Sequence, residues 1–149
     1  MLSSIERLIG IPEALKVVSG ADPAANAEVA VTVPTGKAWK LLAISVALVQ
    51  GATQTPQPIL VIDDGTTTFF EGFGSSGAQA AATTCRYTWA PDLPLSAQVG
   101  SGSGVHATAP LPSGLVLPAG ARVQTSTLGK GANSDYGVPA LYVVEYGRG

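Results

Sequence analysis

Charge is scarce in this sequence: charged residues make up 12% of its 149 residues, about half the usual share for a soluble domain. Ten acidic and eight basic side chains are too few to cover a monomer of this size. Part of the outer surface is therefore expected to be buried against other chains, a mildly apolar monomer being the alternative. The basic residues are scattered and the net charge is −2. That excludes the clustered Lys and Arg footprint of a nucleic-acid binder. The single cysteine, Cys85, excludes an internal disulfide and any multi-cysteine metal site, and reads as a small buried apolar side chain. No stretch approaches the ~18–20 uninterrupted apolar residues of a membrane span. The longest apolar run, Leu41 to Val49, is strand length and contains Ser45. The opening MLSSIERLIG lacks the basic start and long apolar core of a secretory signal. The chain is thus expected to be made and kept in the cytoplasm, or in something assembled there.

What is present is strand after strand. Glu28 to Val33 alternates strictly, with Val29, Val31 and Val33 on one face. Pro34-Thr-Gly36 breaks it, and Trp39 to Val49 follows. There Leu42, Ile44, Val46 and Leu48 share one face, opposite the small residues Ala43, Ser45 and Ala47. Small residues opposite large ones predict that this second face is closely covered by another element. Pro58 to Ile62 runs through Asp63-Asp-Gly65 into Thr66 to Phe70. An Asp-Gly pair between β-rich runs is a strong hairpin signal, because such a turn needs positive φ at both central residues. Further candidates lie at residues 80–89, 95–99, 105–109, 115–117, 122–127 and 140–146. About ten short strands with regular turn spacing predict an all-β, antiparallel β-sandwich. Val31-Thr-Val-Pro-Thr-Gly36 is echoed by Leu115-Val-Leu-Pro-Ala-Gly120. Unless coincidental, two such turn entries suit a double Greek key or jelly roll. Gly- and Ser-rich stretches at 72–77, 100–104 and 129–137 read as loop tips, not domain linkers.

Residues 1–20 read as a short N-terminal helix or arm, and 21–149 as one sandwich domain. Ser3-Ser-Ile-Glu6 fits a capping box, Leu2, Ile5, Leu8 and Ile9 fall on one helical face, and Gly10 ends the turn. A helix this short is marginal without tertiary support. Those four apolar residues either lie on their own sandwich or dock on a partner.

Candidate chemistry is thin. His106, the one histidine, has no G-x-S-x-G nucleophile elbow beside it. It is also too few for the several-histidine metal sites of cupin-type jelly rolls. Gly102-Ser-Gly104 lacks the Lys and helix of a phosphate loop. Asp63 and Asp64 fit the hairpin turn better than a Ca²⁺ site, while Glu71 and Asp92 have no obvious partner in the sequence. No catalytic residue, cofactor or metal is therefore assigned, and the chain is read as a non-enzyme. The aromatics offer one alternative: Trp39 and Trp89, with Tyr87, Tyr136, Tyr142 and Tyr146, forming a glycan platform. The competing reading places each Trp at a strand end, capping the core.

Several pieces occur in order: Val31-Thr-Val-Pro-Thr-Gly-Lys-Ala-Trp-Lys-Leu-Leu42, Ile62-Asp-Asp-Gly65, Tyr87-Thr-Trp-Ala-Pro91, Leu115-Val-Leu-Pro-Ala-Gly120 and Ala140-Leu-Tyr-Val-Val-Glu145. With this set, spanning about Glu28 to Tyr146, the chain resembles small tailed-bacteriophage virion proteins with jelly-roll-like sandwiches, in particular capsid decoration (cement) proteins. The resemblance implies a place on the capsid surface and contact with the major capsid protein or other virion subunits. It also implies a homo-oligomer, with a trimer favoured. The alternative it leaves open is a tail, neck or fibre component acting as a receptor- or glycan-binding module. It carries no functional residues over.

Overall fold

The computed structural model describes residues 11–51 and 53–147. It builds them into eleven strands with, among these residues, no helix. They are β1 (Ile11–Ser19), β2 (Ala30–Thr32), β3 (Lys37–Gln50), β4 (Gln57–Asp63), β5 (Thr68–Phe73) and β6 (Thr84–Ala90). The remainder are β7 (Val105–Pro110), β8 (Val116–Leu117), β9 (Arg122–Leu128), β10 (Ser134–Tyr136) and β11 (Ala140–Gly147). One sheet runs β1-β11-β3-β6-β7, with β8 and β10 also on β3; the other runs β2-β9-β4-β5.

Leaving out β7, β8 and β10, eight strands remain. They pair first with last, second with seventh, third with sixth and fourth with fifth: β1–β11, β2–β9, β3–β6 and β4–β5, all antiparallel. A long hairpin rolled up in this nested way is a jelly roll. The expected antiparallel sandwich is therefore present. One pair departs from the pattern: β6 and β7 are parallel. The chain must cross back between them, and it does so through residues 91–104 without a helix.

Residues 11–19 correct the boundary expected at residue 20, since β1 is an edge strand of the large sheet and not part of an arm. The helix expected from Leu2, Ile5, Leu8 and Ile9 lies outside the described residues. Residues 95–99, expected as a strand, form only an isolated bridge between Val99 and His106. Ser134–Tyr136, inside an expected loop, is a strand.

The central strand β3 explains the core. Trp39, Leu41, Ile44, Val46 and Leu48 are all buried in one cluster. Strict alternation puts Leu42 with Ile44, but the register against β11 shifts between Tyr142 and Val143, opposite Leu41–Ala43. This irregularity changes which face each side chain takes. Leu41 enters the core and Leu42 does not.

The two Pro-x-Gly turns lie side by side. Val33 N–H donates to Ala121 O at 2.8 Å and Gly120 N–H to Val33 O at 2.9 Å. Pro34 O accepts from Lys37 N–H and Pro118 O from Ala121 N–H. Gly36 and Gly120, at φ +77° and +86°, thus hold the third position of each turn. Each proline comes one position earlier than the one its ring would pre-set. The β4–β5 hairpin is likewise longer than the expected two-residue turn. Of Asp64 and Gly65 only Gly65 has positive φ, and the Asp64 carboxylate caps the Thr66 and Thr67 amides at 2.8 and 2.7 Å.

Buried polar groups are satisfied. The Gln79 amide donates to Leu48 O and Thr83 O, both at 2.9 Å, and its oxygen accepts from the Tyr87 hydroxyl at 3.0 Å. Tyr87 and Trp89 pack with ring centroids 6.0 Å apart. A Cβ at Gly74 would lie 2.7 Å from Tyr87 Cδ1 and 2.8 Å from Trp89 Cζ2. Both rings are fully buried and have nowhere to move. Gly74→Ala should therefore lower unfolding free energy by about 1–3 kcal/mol through overpacking, as chemical denaturation will measure.

Candidate assembly surface

Of the six basic side chains among the described residues, Lys16, Lys37, Arg122 and Lys130 form ion pairs within the sandwich. Glu145 of β11 lies opposite Trp39 of β3. Its Oε1 is 2.8 Å from Lys16 Nζ of β1 and 3.8 Å from Lys37 Nζ, while its Oε2 accepts the Trp39 indole N–H at 2.9 Å. One nearly buried carboxylate thus ties three strands together. The Lys16 hydrogen bond, opposed by burial and aided by Trp39 and the charges of both lysines, holds Glu145 below its ordinary pKa.

Asp63 takes Arg122 Nε and Gln124 Nε2, both at 2.7 Å, and the Arg122 bond lowers its pKa. Glu28 is different. Burial pushes its pKa up, but bonds from Thr125, Thr127 and Lys130 outweigh burial and leave it lowered. Its oxygens accept from Thr127 N–H and the Thr125 and Thr127 hydroxyls, with Lys130 Nζ at 3.2 Å.

The structure separates the candidate residues. Trp39 is 2% exposed and Trp89 0%. This corrects the glycan-platform reading of those two residues, because an indole closed into the core offers no face to a sugar. Both indoles are instead core side chains, donating to Glu145 Oε2 and to Gly72 O. Tyr87 and Tyr136 are buried as well, and Tyr142 is exposed. His106 is exposed on β7 and lies opposite Arg86 in the β6–β7 register. A neighbouring cation is the wrong partner for a general base, which needs a carboxylate to orient it. Among the described residues no group of three or more His, Cys, Asp or Glu is arranged to hold a metal. Cys85 is fully buried, and burial pushes its thiol up to about 11.

The outward face of the large sheet remains. In register it carries Leu15, Val17 and Ser19 of β1 and Ala140, Tyr142 and Val144 of β11. Next come Lys40, Ala43, Ser45, Ala47 and Val49 of β3, Thr84, Arg86 and Thr88 of β6, and His106 and Thr108 of β7. Among the described side chains its charges are Lys40, Arg86 and, on the β10 flank, Asp135. The two sheets meet through the core, so no described strand lies over this face. Ala43, Ser45 and Ala47 stay half-buried, contrary to the close covering that their size predicts. The surface signal was legible only as a shortage of charge; that four of the six described basic residues are paired needed the fold.

Comparison with known proteins returns no matching family model, no matching curated protein and no matching solved structure.

Two predictions follow from the buried groups. Glu145→Ala leaves the buried Trp39 N–H without its acceptor and should cost about 1–3 kcal/mol. Glu145→Gln keeps an acceptor and should cost less. Because the folded pKa is depressed, the ionised Glu145 stabilises fully above its ordinary 4.5 and loses that contribution as pH falls through the lower folded value. Thermal unfolding against pH should show this acid limb flattened in Glu145→Gln. For Cys85, a thiol reagent should fail to label the native protein and label it fully in denaturant.

Proposed function

We propose that this chain is a non-enzymatic structural subunit of a tailed-phage particle, and specifically a capsid decoration protein that bridges and stabilises capsid subunits. One observation carries the reading: a wide sheet face, low in charge and uncovered by any described strand, on a sandwich that pairs four of its six described basic residues internally. Such a face suits burial against another protein better than lasting contact with water. The order of motifs along the chain, resembling decoration proteins, supplies the setting.

The mechanism on this reading is mechanical. Each copy lays its sheet face across a joint between capsid subunits. An interface of ordinary size buries on the order of 1,600 Å², and repetition over the lattice turns a modest contact into a large resistance to internal pressure. The segment carrying Leu2, Ile5, Leu8 and Ile9 adds a second attachment, on the major capsid protein or a neighbouring copy.

Quantitative mass spectrometry of purified particles tests the proposal. Copies in the hundreds support a shell component. A handful per particle moves the chain to neck, tail or fibre, and absence from particles removes the virion reading. Deleting residues 2–10 should reduce occupancy on capsids while the circular dichroism of the sandwich stays unchanged.

A further inference from the structure

We infer that β1 is a docking edge for a second copy of this chain, the two β1 strands pairing antiparallel about a two-fold axis through Val17. This goes beyond the proposed capsid role and does not depend on it.

The four sheet edges differ sharply. β7 is covered on its outer side: Ser96 N–H donates to Thr108 O, and Val99 and His106 exchange main-chain bonds, all at 2.9 Å. β2 has three residues, too few to template a partner. β5 has six and carries Glu71. β1 has nine residues, and among the described strands it pairs only with β11. A long uncovered edge is a ready template for another chain.

The hydrogen-bond phase shows which groups face outward. Gly20 N–H donates to Pro139 O at 3.0 Å, continuing the register of Ser19 with Ala140. In an antiparallel ladder bonded pairs alternate. Val18 and Lys16 therefore bond to β11, and Leu15, Val17 and Ser19 direct their N–H and C=O groups to the free edge. Leu15 and Val17 also carry the edge's apolar side chains, 73% and 56% exposed, with Tyr142, opposite Val17, at 43%.

Chemistry selects the second copy and the register. β1 holds two charged residues, Glu13 and Lys16; Glu13 precedes the segment 15–19 and Lys16 is engaged by Glu145, so the outward side of residues 15–19 is neutral and self-complementary. An axis through Lys16 would set two lysines directly opposite, which is unfavourable. An axis through Val17 instead pairs Leu15 with Ser19, Lys16 with Val18 and Val17 with itself. It forms about six main-chain bonds and gathers both copies' Leu15, Val17 and Tyr142 on one face. An isologous edge closes at two, so this pairing yields a dimer and not the trimer implied by the resemblance.

The test uses the full chain at micromolar concentration. Sedimentation velocity should give a species of twice the 15.0 kDa chain mass. Val17→Lys should shift it to monomer with unchanged far-ultraviolet circular dichroism, whereas Phe73→Lys on β5 should leave the dimer intact. Hydrogen exchange gives a readout without mutation: the amides of Leu15, Val17 and Ser19 should be slow in concentrated protein and speed up at least tenfold on dilution to monomer. A wild-type monomer or trimer, a dimer indifferent to Val17→Lys, or fast exchange at these three amides in the dimer would each overturn the proposal.

Discussion

Strand β3 has to keep one face apolar across fourteen residues while pairing on both sides, and the rest of the fold is arranged around that demand. β11 and β10 share one of its edges, β6 and β8 the other. Its inward side chains, from Trp39 to Leu48, contribute a large part of the core. A strand of this length accumulates twist, and near Leu42 its register against β11 shifts by one residue. The irregularity also changes parity. Without it, Leu41 would face outward and Trp39 would lose its place beside Glu145. The Glu145 cluster, which adds a side-chain tie to the β1–β11 ladder, therefore depends on one shifted residue in the middle of the sheet.

The shortage of charge takes on a more specific meaning once the ion pairs are located. Glu28, Asp63 and Glu145 each neutralise at least one cation and also accept hydrogen bonds from neutral donors. These pairs fasten strands together: Glu145 joins β1, β11 and β3, and Asp63 joins β4 to β9. Partly exposed ion pairs contribute little to stability, so their weight here lies in positioning. Their effect on the surface is larger, since each pair removes a cation that would otherwise sit on a face. The outward side of the large sheet is left with Ala, Ser, Thr and Val and few charges, a composition closer to an interface than to a solvated sheet.

Most of the sandwich was legible in the sequence because half-buried strands alternate, and Val29, Val31 and Val33 or Cys85, Tyr87 and Trp89 follow the rule. The turns were legible as locations but not as types. Proline's place within each turn and the four-residue β4–β5 loop depend on hydrogen bonds between distant strands. The parallel β6–β7 pair left no local signal, because periodicity does not encode strand direction. Trp39 and Trp89 were legible as strand-end aromatics, but their burial follows from what packs over those ends. Of the candidate site, the sequence carried the low charge and the small side chains at Ala43, Ser45 and Ala47. It did not carry the absence of a covering strand.

The jelly roll alone does not separate a capsid protein from a lectin or a cupin, so the functional argument has to rest on surfaces, and β1 is where sequence and surface meet. Ile11-Pro-Glu-Ala-Leu-Lys-Val-Val-Ser19 does not look like a strand, because its alternation is broken. Leu15 and Val17 point outward where polar residues are usual, and Lys16 points inward where an apolar residue is usual. The first departure is unfavourable in an isolated molecule. The second is tolerated because Glu145 waits on the next strand. A sequence that violates the pattern of a solvated edge while stabilising that edge from within is what the proposed pairing of β1 with a second copy calls for. The broken alternation that makes β1 hard to recognise as a strand is thus the same feature on which its proposed pairing rests.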